Sequence, residues 1–144
     1  MTYLELLQVL QELVNRHGFL KSYSYGTIAD INIEQGNNEV FPKLHTILQN
    51  VQTDGDTNFS YNVRFLAFDL DKQDDTLTER NISSAISNMQ DIIKELKEQY
   101  DDITITNNIQ MIPFQQEFTE YCSGVYADII LSVDPPNNPC DFPE

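Results

Sequence analysis

The feature that most constrains the fold is an apolar stripe in the second half of the chain. Its members are separated by four, three, four and three residues: Ile82, Ile86, Met89, Ile93 and Leu96. This period places them on one face of an α-helix. Thr76 and Glu79 form a capping-box pattern at its start, and Lys94 and Lys97 suit the negative end of the helix dipole. The stripe therefore predicts an amphipathic helix that must be covered by another layer.

A second helix is predicted at the start of the chain. Thr2 and Glu5 repeat the capping-box pattern, and Gly18 is a natural stop after the last turn. Helical spacing places six apolar side chains on one face between them: Tyr3, Leu6, Leu7, Leu10, Leu13 and Val14. The segment has no basic leader and no cleavage pattern, so we expect it to be a helix and not a signal peptide.

The remaining segments favour strands. Residues 22–34 are rich in aromatic and β-branched side chains, and QGNN at 35–38 predicts a turn. Residues 41–48 contain Pro42 and suit an edge strand, with His45 facing solvent or a neighbour. Residues 59–70 alternate between apolar and polar side chains, as in a strand. The end of this run is richer in apolar side chains, which suits burial on both faces of the sheet. A strand begins at Ile103 and runs through Ile112; it continues towards Cys122 unless Pro113 breaks it, and Pro113 otherwise suits an edge position. Ser123-Gly124 makes a turn, and 125–133 forms the last strand.

The order of these elements predicts an α+β fold. We expect an antiparallel sheet of about five strands with two helices on one face, in the order α-β-β-β-α-β-β. Residues 1–133 form a single domain in this prediction. Residues 134–144 contain four prolines and form a tail without regular structure.

Charge narrows the functional classes. Eight Lys and Arg against 23 Asp and Glu give a net charge of −15. Binding of nucleic acid depends on cations that neutralise phosphates, and an acidic surface repels anionic membranes. We therefore expect that this surface does not bind DNA, RNA or lipid headgroups. No run of apolar residues reaches the roughly 20 needed to cross a bilayer. Cys122 and Cys140 are expected as two thiols, with a disulfide between them as the alternative.

Catalytic and metal-binding patterns are incomplete. The alternating polar side chains from Asp69 to Asp75 resemble the ligands of a calcium-binding loop. However, Asp74 stands where such a loop needs glycine, and Arg80 stands where it needs a bidentate Glu. Four potential zinc ligands lack the usual paired spacing: His17, His45, Cys122 and Cys140. No nucleophile elbow surrounds Ser24 or Ser123, and no phosphate-binding glycine motif is present. We expect a non-enzymatic protein without a metal or cofactor.

Several motifs occur together in a particular order: FPKLHTI at 41–47, FLAFDLDKQDD at 65–75, TERNISSAI at 78–86, CSGVYADIILSV at 122–133 and NPCDFP at 138–143. As a set they resemble small virion proteins of tailed bacteriophages, especially podovirus-like phages of Bacteroidetes, including the crAss-like group. The order of helices and strands is similar to the tail-terminator and head–tail joining fold. The resemblance covers nearly the whole chain, and no catalytic residue carries over from it.

The resemblance implies a structural subunit of a ring in the phage neck or tail, assembled in the host cytoplasm. Its partners would be copies of itself and the portal, neck or tail proteins. DNA would pass through the ring without specific binding, and an acidic lumen would suit that passage. An acidic module that inhibits a host protein or mimics DNA is the alternative. A small hydrolase with an unrecognised site is a third possibility.

Two segments suit contacts between subunits. The hairpin around residues 50–62 offers aromatic side chains and a strand pair that can be extended, although a plain core strand is also consistent with it. A proline-stiffened tail loses little entropy on docking, although it could equally fold back on its own domain or stay disordered. We expect interface roles for Phe59, Tyr61, Pro139 and Phe142.

Overall fold

The computed structural model describes residues 2–27, 41–53, 59–70, 75–106, 108–117 and 121–133, with the side chains of 75, 76, 116, 117 and 121 excepted. Two helices occur in these ranges: α1 (Tyr3–Arg16) and α2 (Asp75–Gln99). Six strands accompany them: β1 (Ser22–Tyr25), β2 (Lys43–Thr53), β3 (Phe59–Leu70), β4 (Ile103–Ile105), β5 (Ile112–Glu117) and β6 (Tyr121–Val133). The α+β class is confirmed.

Helix α1 begins where the sequence predicts. The Glu5 backbone N–H donates to the Thr2 hydroxyl at 3.1 Å, which satisfies one of the free amides of the first turn. The Thr2 hydroxyl in turn donates to the Glu5 carboxylate. At the other end His17 caps the helix in an extended conformation, and its N–H donates to the Val14 carbonyl. Gly18 follows this cap directly, at the position where the sequence places the stop.

Helix α2 begins at Asp75, one residue before the predicted cap. Its buried face is formed by Ala85, Met89, Ile92, Ile93 and Leu96, with Ile82 partly buried beside it. Ile86 is 37% exposed, so the predicted stripe is correct in period but rotated slightly from the real contact face. Small Ala85 and large Ile92 replace it against the sheet.

The sheet is mixed and has six strands in place of the predicted five antiparallel ones. Its strands run in the order β1-β2-β3-β6-β4, and β5 also pairs with β6. Ser22–Tyr25 pair in parallel with Lys43–Thr46, whereas the other pairings between described strands are antiparallel. Parallel neighbours cannot be joined by a tight turn, so β1 and β2 do not form the expected hairpin. The predicted QGNN turn lies outside the described residues.

Two strands were placed wrongly by the sequence. The run 41–48 was expected at an edge because of Pro42, but β2 starts at Lys43 and its residues 43–46 lie between β1 and β3. Pro42 stands just before the ladder, so its missing N–H costs no ladder bond. Ser123-Gly124 was expected as a turn, but β6 runs continuously from Tyr121 to Val133. The strand expected after Ile103 divides into β4 and β5, with Pro113 on the sheet edge.

Both helices pack on one face of the sheet, as predicted. The main core joins α1 and α2 to alternate residues of the strands, including Leu44, Phe65, Ala127, Ile129 and Leu131, each at most 1% exposed. A smaller cluster lies on the helix-free face around Leu66, Phe68 and Cys122. Burial on both faces at this end of β3 was predicted from its composition and is confirmed.

Candidate interaction surface

A serine and a histidine form the most nucleophile-like pair. Ser24 Oγ lies 2.6 Å from His45 Nδ1, and His45 Nε2 lies 3.0 Å from the Gly26 carbonyl oxygen. A carbonyl only accepts, so Nε2 carries the proton and Nδ1 accepts from the Ser24 hydroxyl. Ser24 is 6% exposed and His45 is 0% exposed, so a substrate cannot reach either group. The expectation that His45 faces solvent or a neighbour is therefore wrong.

The second histidine is also fully engaged. His17 Nδ1 accepts from the backbone N–H groups of Phe19 and Leu20, both at 3.0 Å. Nδ1 is then unprotonated, so Nε2 donates to Asp91 Oδ2 at 2.9 Å. The ring ties the end of α1 to the middle of α2. It has no nitrogen left to act as a base toward a bound substrate.

Metal binding finds little support in the described part of the chain. No group of three or more His, Cys, Asp or Glu side chains converges there. His17 lies on the helical side of the sheet, whereas His45 belongs to the opposite face, so the four suggested zinc ligands are not brought together. Cys122 is fully buried, and Cys140 lies outside the described residues, as do Asp71 and Gln73 of the calcium-like run.

An aromatic cluster occupies the far end of the β2–β3 pair. Phe59 and Tyr61 stack with ring centroids 6.5 Å apart, and Tyr3 of α1 packs on Tyr61 at 5.7 Å. Burial raises the pKa of Tyr61 and of Tyr3, and the neighbouring Tyr25 raises the pKa of Tyr3 further. Phe59 is 39% exposed and Tyr25 is 54% exposed, so apolar rings reach solvent around a buried tyrosine.

The outer edge of β2 lies beside this cluster. Strand β1 pairs only with residues 43–46, whereas β2 pairs with β3 from Lys43 to Thr53. Within the described residues, no strand pairs with 47–53 on the outer side. This stretch carries no charge and no proline, and Val51 is 47% exposed. We call residues 47–53 together with Phe59 and Tyr25 the hairpin-end surface.

The predicted interface residues fall in different environments. Phe59 is part of the hairpin-end surface, whereas Tyr61 is 7% exposed and supports Phe59 from below. Pro139 and Phe142 lie outside the described residues. Val51 and Tyr25 were not predicted as contact residues. The alternation of apolar and polar residues predicts which face of the sheet these two side chains lie on. It does not show that β1 ends before it covers residues 47–53 of β2.

Charge is unevenly divided between the two faces. Described acidic side chains are concentrated on the helices and the turn after α2: Glu5, Glu12, Glu79, Asp91, Glu95, Glu98, Asp101 and Asp102. On the helix-free face, Arg64 forms two hydrogen bonds with Asp128, of 2.8 and 3.1 Å, and lies 4.7 Å from the Tyr126 ring centre. The charges of that pair cancel and Lys43 is only 1% exposed, so the described solvent-facing part of this face is close to neutral.

No protein-family model matches the chain, and no curated protein matches it either. Among the described residues, no helix combines the length and apolar character needed to cross a membrane. The hairpin-end surface is thus the feature of the described chain best suited to recognition. It combines a strand edge, residues 47–52, that no described strand covers on its outer side with exposed apolar side chains.

Proposed function

We propose that this chain is a structural subunit of an oligomeric ring in the neck or tail of a bacteriophage particle. In this proposal it works by packing against copies of itself and against portal, neck or tail proteins. The observation that carries it is the hairpin-end surface, where an open strand edge lies beside exposed apolar rings. Its fold would be of the tail-terminator or head–tail joining type, and it would be assembled in the host cytoplasm.

The open edge of β2 supports strand addition. A strand edge presents unpaired N–H and C=O groups, and proteins usually protect such edges with charges, prolines or a covering element. Residues 47–53 have neither charge nor proline, and only a shift of register between Leu48 and Asn50 interrupts them. Another chain could add a strand here through main-chain hydrogen bonds and cover Val51 and Phe59 at the same time.

The two sides of the sheet differ, as ring closure requires. The edge opposite β1 and β2 is formed by the short β4 and by β5, which contains Pro113. Proline has no N–H for a ladder, so this edge cannot accept a long strand in the way that β2 can. A contact between two unlike surfaces, repeated by a rotation that divides a full turn evenly, closes into a ring.

The near-neutral helix-free face suits a wall beside passing DNA. Arg64 is engaged by Asp128, and most of its neighbours on this face are uncharged polar groups such as Asn62, Ser60 and Ser132. The described part of such a wall offers phosphates no exposed, unpaired cation, because Arg64 is paired and Lys43 is buried. This proposal departs from the acidic lumen that the resemblance implies. The described acidic side chains lie mainly on the helices, so the proposed wall of the channel is near-neutral.

Those same acids favour the alternative of an acidic binding module. Exposed carboxylates along α2 could imitate phosphates or meet a basic host protein. The two functions differ in what the purified chain does alone. A ring subunit associates with itself, whereas a mimic stays monomeric or dimeric and binds a cationic partner.

The test is the mass of the full chain in solution, measured by sedimentation and native mass spectrometry over a concentration series. We expect a defined oligomer. Val51→Lys should weaken association by about tenfold or more, because a charge on an open edge opposes strand addition.

Ile130→Lys is the matched control. Ile130 is 41% exposed against 47% for Val51, but it lies on β6, which is separated from the β2 edge by β3. Association should survive this change. A chain that stays monomeric throughout the series, or equal loss in both variants, would contradict the proposal.

A further inference from the structure

A cavity with several polar side chains in an otherwise apolar lining lies at the opposite end of the molecule from the hairpin-end surface. It has a volume of about 410 Å³ and is bordered by the first half of α2, the segment after α1, and the strand ends near Pro42 and Asp69. Helix α2 contributes three hydroxyl groups and one amide to its wall: Ser83, Ser84, Ser87 and Asn88. Phe19, which is 71% exposed, and Pro42 form an apolar wall, and Lys21 lies at the rim.

Asn88 points to a ligand. The residue is only 4% exposed, and the cavity is where it meets open space. Its amide has no hydrogen-bond partner among the described residues, although buried polar groups are normally paired. A ligand carbonyl at this position would accept a hydrogen bond from the side-chain amide of Asn88.

The lining favours a ligand rich in acceptors. Lys21, Asn88 and the three serine hydroxyl groups can all donate hydrogen bonds. The carboxylate in the wall, Asp69, is turned toward its own backbone and accepts from the Leu70 N–H at 2.8 Å. A proline-rich segment is such a ligand, because its prolines carry carbonyl groups but no N–H, and their rings pack on aromatic side chains.

We propose that this cavity receives the C-terminal segment, residues 134–144, of a second copy of the chain. The inference rests on the proposed function, in which copies associate. The segment DPPNNPCDFPE combines four prolines with Phe142 and three acidic side chains. Its prolines and Phe142 suit the wall of Phe19 and Pro42, and its acids suit Lys21. Among the described residues, the Lys21 ammonium has one hydrogen bond, to the Gly18 carbonyl at 3.5 Å.

Chain length favours a second copy over the same subunit. Val133, where β6 ends, pairs with Phe59, whereas Asp69 lies ten residues further along β3. At about 3.3 Å per residue the two ends are roughly 33 Å apart. From Val133 to Phe142 an extended proline-rich chain spans about 28 Å. Phe142 of the same subunit reaches the cavity only if the segment is drawn out almost straight along β3, whereas a neighbour placed end to end presents its tail there without that stretch.

A fluorescent peptide of residues 134–144, with Cys140→Ser to prevent oxidation, tests the site on the full chain. We expect saturable binding, weakened about threefold to tenfold by Asn88→Leu, which removes the amide. Lys21→Glu should weaken it by a smaller factor that shrinks as salt is added. Lys97→Glu, on the exposed last turn of α2, is the charge control and should bind normally. Both Lys variants change exposed side chains and leave the fold intact.

Mixing variants tests the head-to-tail arrangement. Phe142→Ala damages the tail and Asn88→Leu damages the cavity, so an equimolar mixture should form mixed dimers through the one intact junction. Peptide binding that is absent, that matches a scrambled peptide, or that survives Asn88→Leu and Lys21→Glu unchanged would overturn the inference. If the chain forms rings without binding the peptide, this inference alone fails. If a monomeric chain binds the peptide, the ring proposal fails and the site remains.

Discussion

Tyr23 illustrates at the residue scale how a buried hydroxyl links strand pairing to pH. Its ring packs against the main core, and its hydroxyl lies 2.6 Å from the Thr46 hydroxyl on the paired strand β2. Burial raises the pKa of Tyr23 well above 10, and the charges of Tyr3 and Tyr25 add to that shift, whereas the bond to Thr46 opposes it. The folded protein therefore favours the neutral ring.

Stability is expected to fall at alkaline pH because of this shift. The folded pKa lies above the unfolded value of about 10, so the contribution is complete below pH 10 and is lost as the pH rises further. Tyr23→Phe should lower the free energy of unfolding by about 1 kcal/mol at neutral pH, because the bond to Thr46 is lost. It should also make the alkaline decline shallower. Urea unfolding followed from neutral pH to pH 11 measures both effects.

Thr46→Val separates the hydrogen bond from the titration. This variant loses the bond to Tyr23 but keeps the tyrosine that titrates, so its alkaline decline should stay as steep as in the parent. A Tyr23→Phe protein that declines as steeply as the parent would show that other groups control the alkaline transition.

Residue-scale predictions from sequence succeeded where the neighbours are local. The Thr2 cap depends on residues within one helical turn, and the capping pattern identified it. The burial of His45 depends on Ser24 and Gly26, which are 21 and 19 residues away in the chain. No local pattern contains that information. The same holds for Asn88, whose polar side chain was indistinguishable from the wet face of a helix.

At the scale of elements, the close approach of β3 and β6 depends on one glycine. Gly124 pairs with Phe68 inside the longest strand pairing of the sheet. A Cβ built on Gly124 would overlap the Ala67 carbonyl oxygen and lie 2.7 Å from the Phe68 Cα. Both are backbone atoms, so a side chain at this position forces the strands apart. The sequence suggested a turn, because glycine marks both turns and close contacts.

Gly124→Ala should destabilise the protein by about 1–3 kcal/mol, because overpacking against fixed backbone shifts the strands. Gly18→Ala is the matched control, since no atom lies within 4 Å of a Cβ built there. Its unfolding midpoint in urea should stay close to that of the parent. Equal midpoints for Gly124→Ala and the parent would mean that β3 and β6 separate without cost.

Element types were more predictable than their arrangement. Helices α1 and α2 and strand β3 followed from periodicity, and β3 has the predicted bounds of Phe59 and Leu70. The parallel pairing of β1 with β2 did not follow, because register and direction depend on contacts between distant segments. The open edge of β2 has the same origin. It exists because β1 ends at Tyr25 while β2 continues to Thr53.

At the scale of the whole molecule, charge opposes self-association. Two copies of a chain with a net charge of −15 repel each other at long range. One rim contact between Lys21 and a tail carboxylate contributes at most about 1 kcal/mol, which does not reverse that repulsion. The apolar and main-chain contacts at the hairpin-end surface do not depend on charge. Salt therefore distinguishes the two proposed kinds of partner.

Association of copies should strengthen with sodium chloride, because the screening length falls from about 10 Å at 0.1 M to about 3 Å at 1 M. Binding to a basic host protein should weaken over the same range, because there the charges attract. Sedimentation of the full chain at fixed concentration across that salt series measures the first effect, and Val51→Lys reports whether the hairpin-end surface carries it. An oligomer that dissociates as salt rises would instead be held by ion pairs. The open edge of β2 would then not be its main contact.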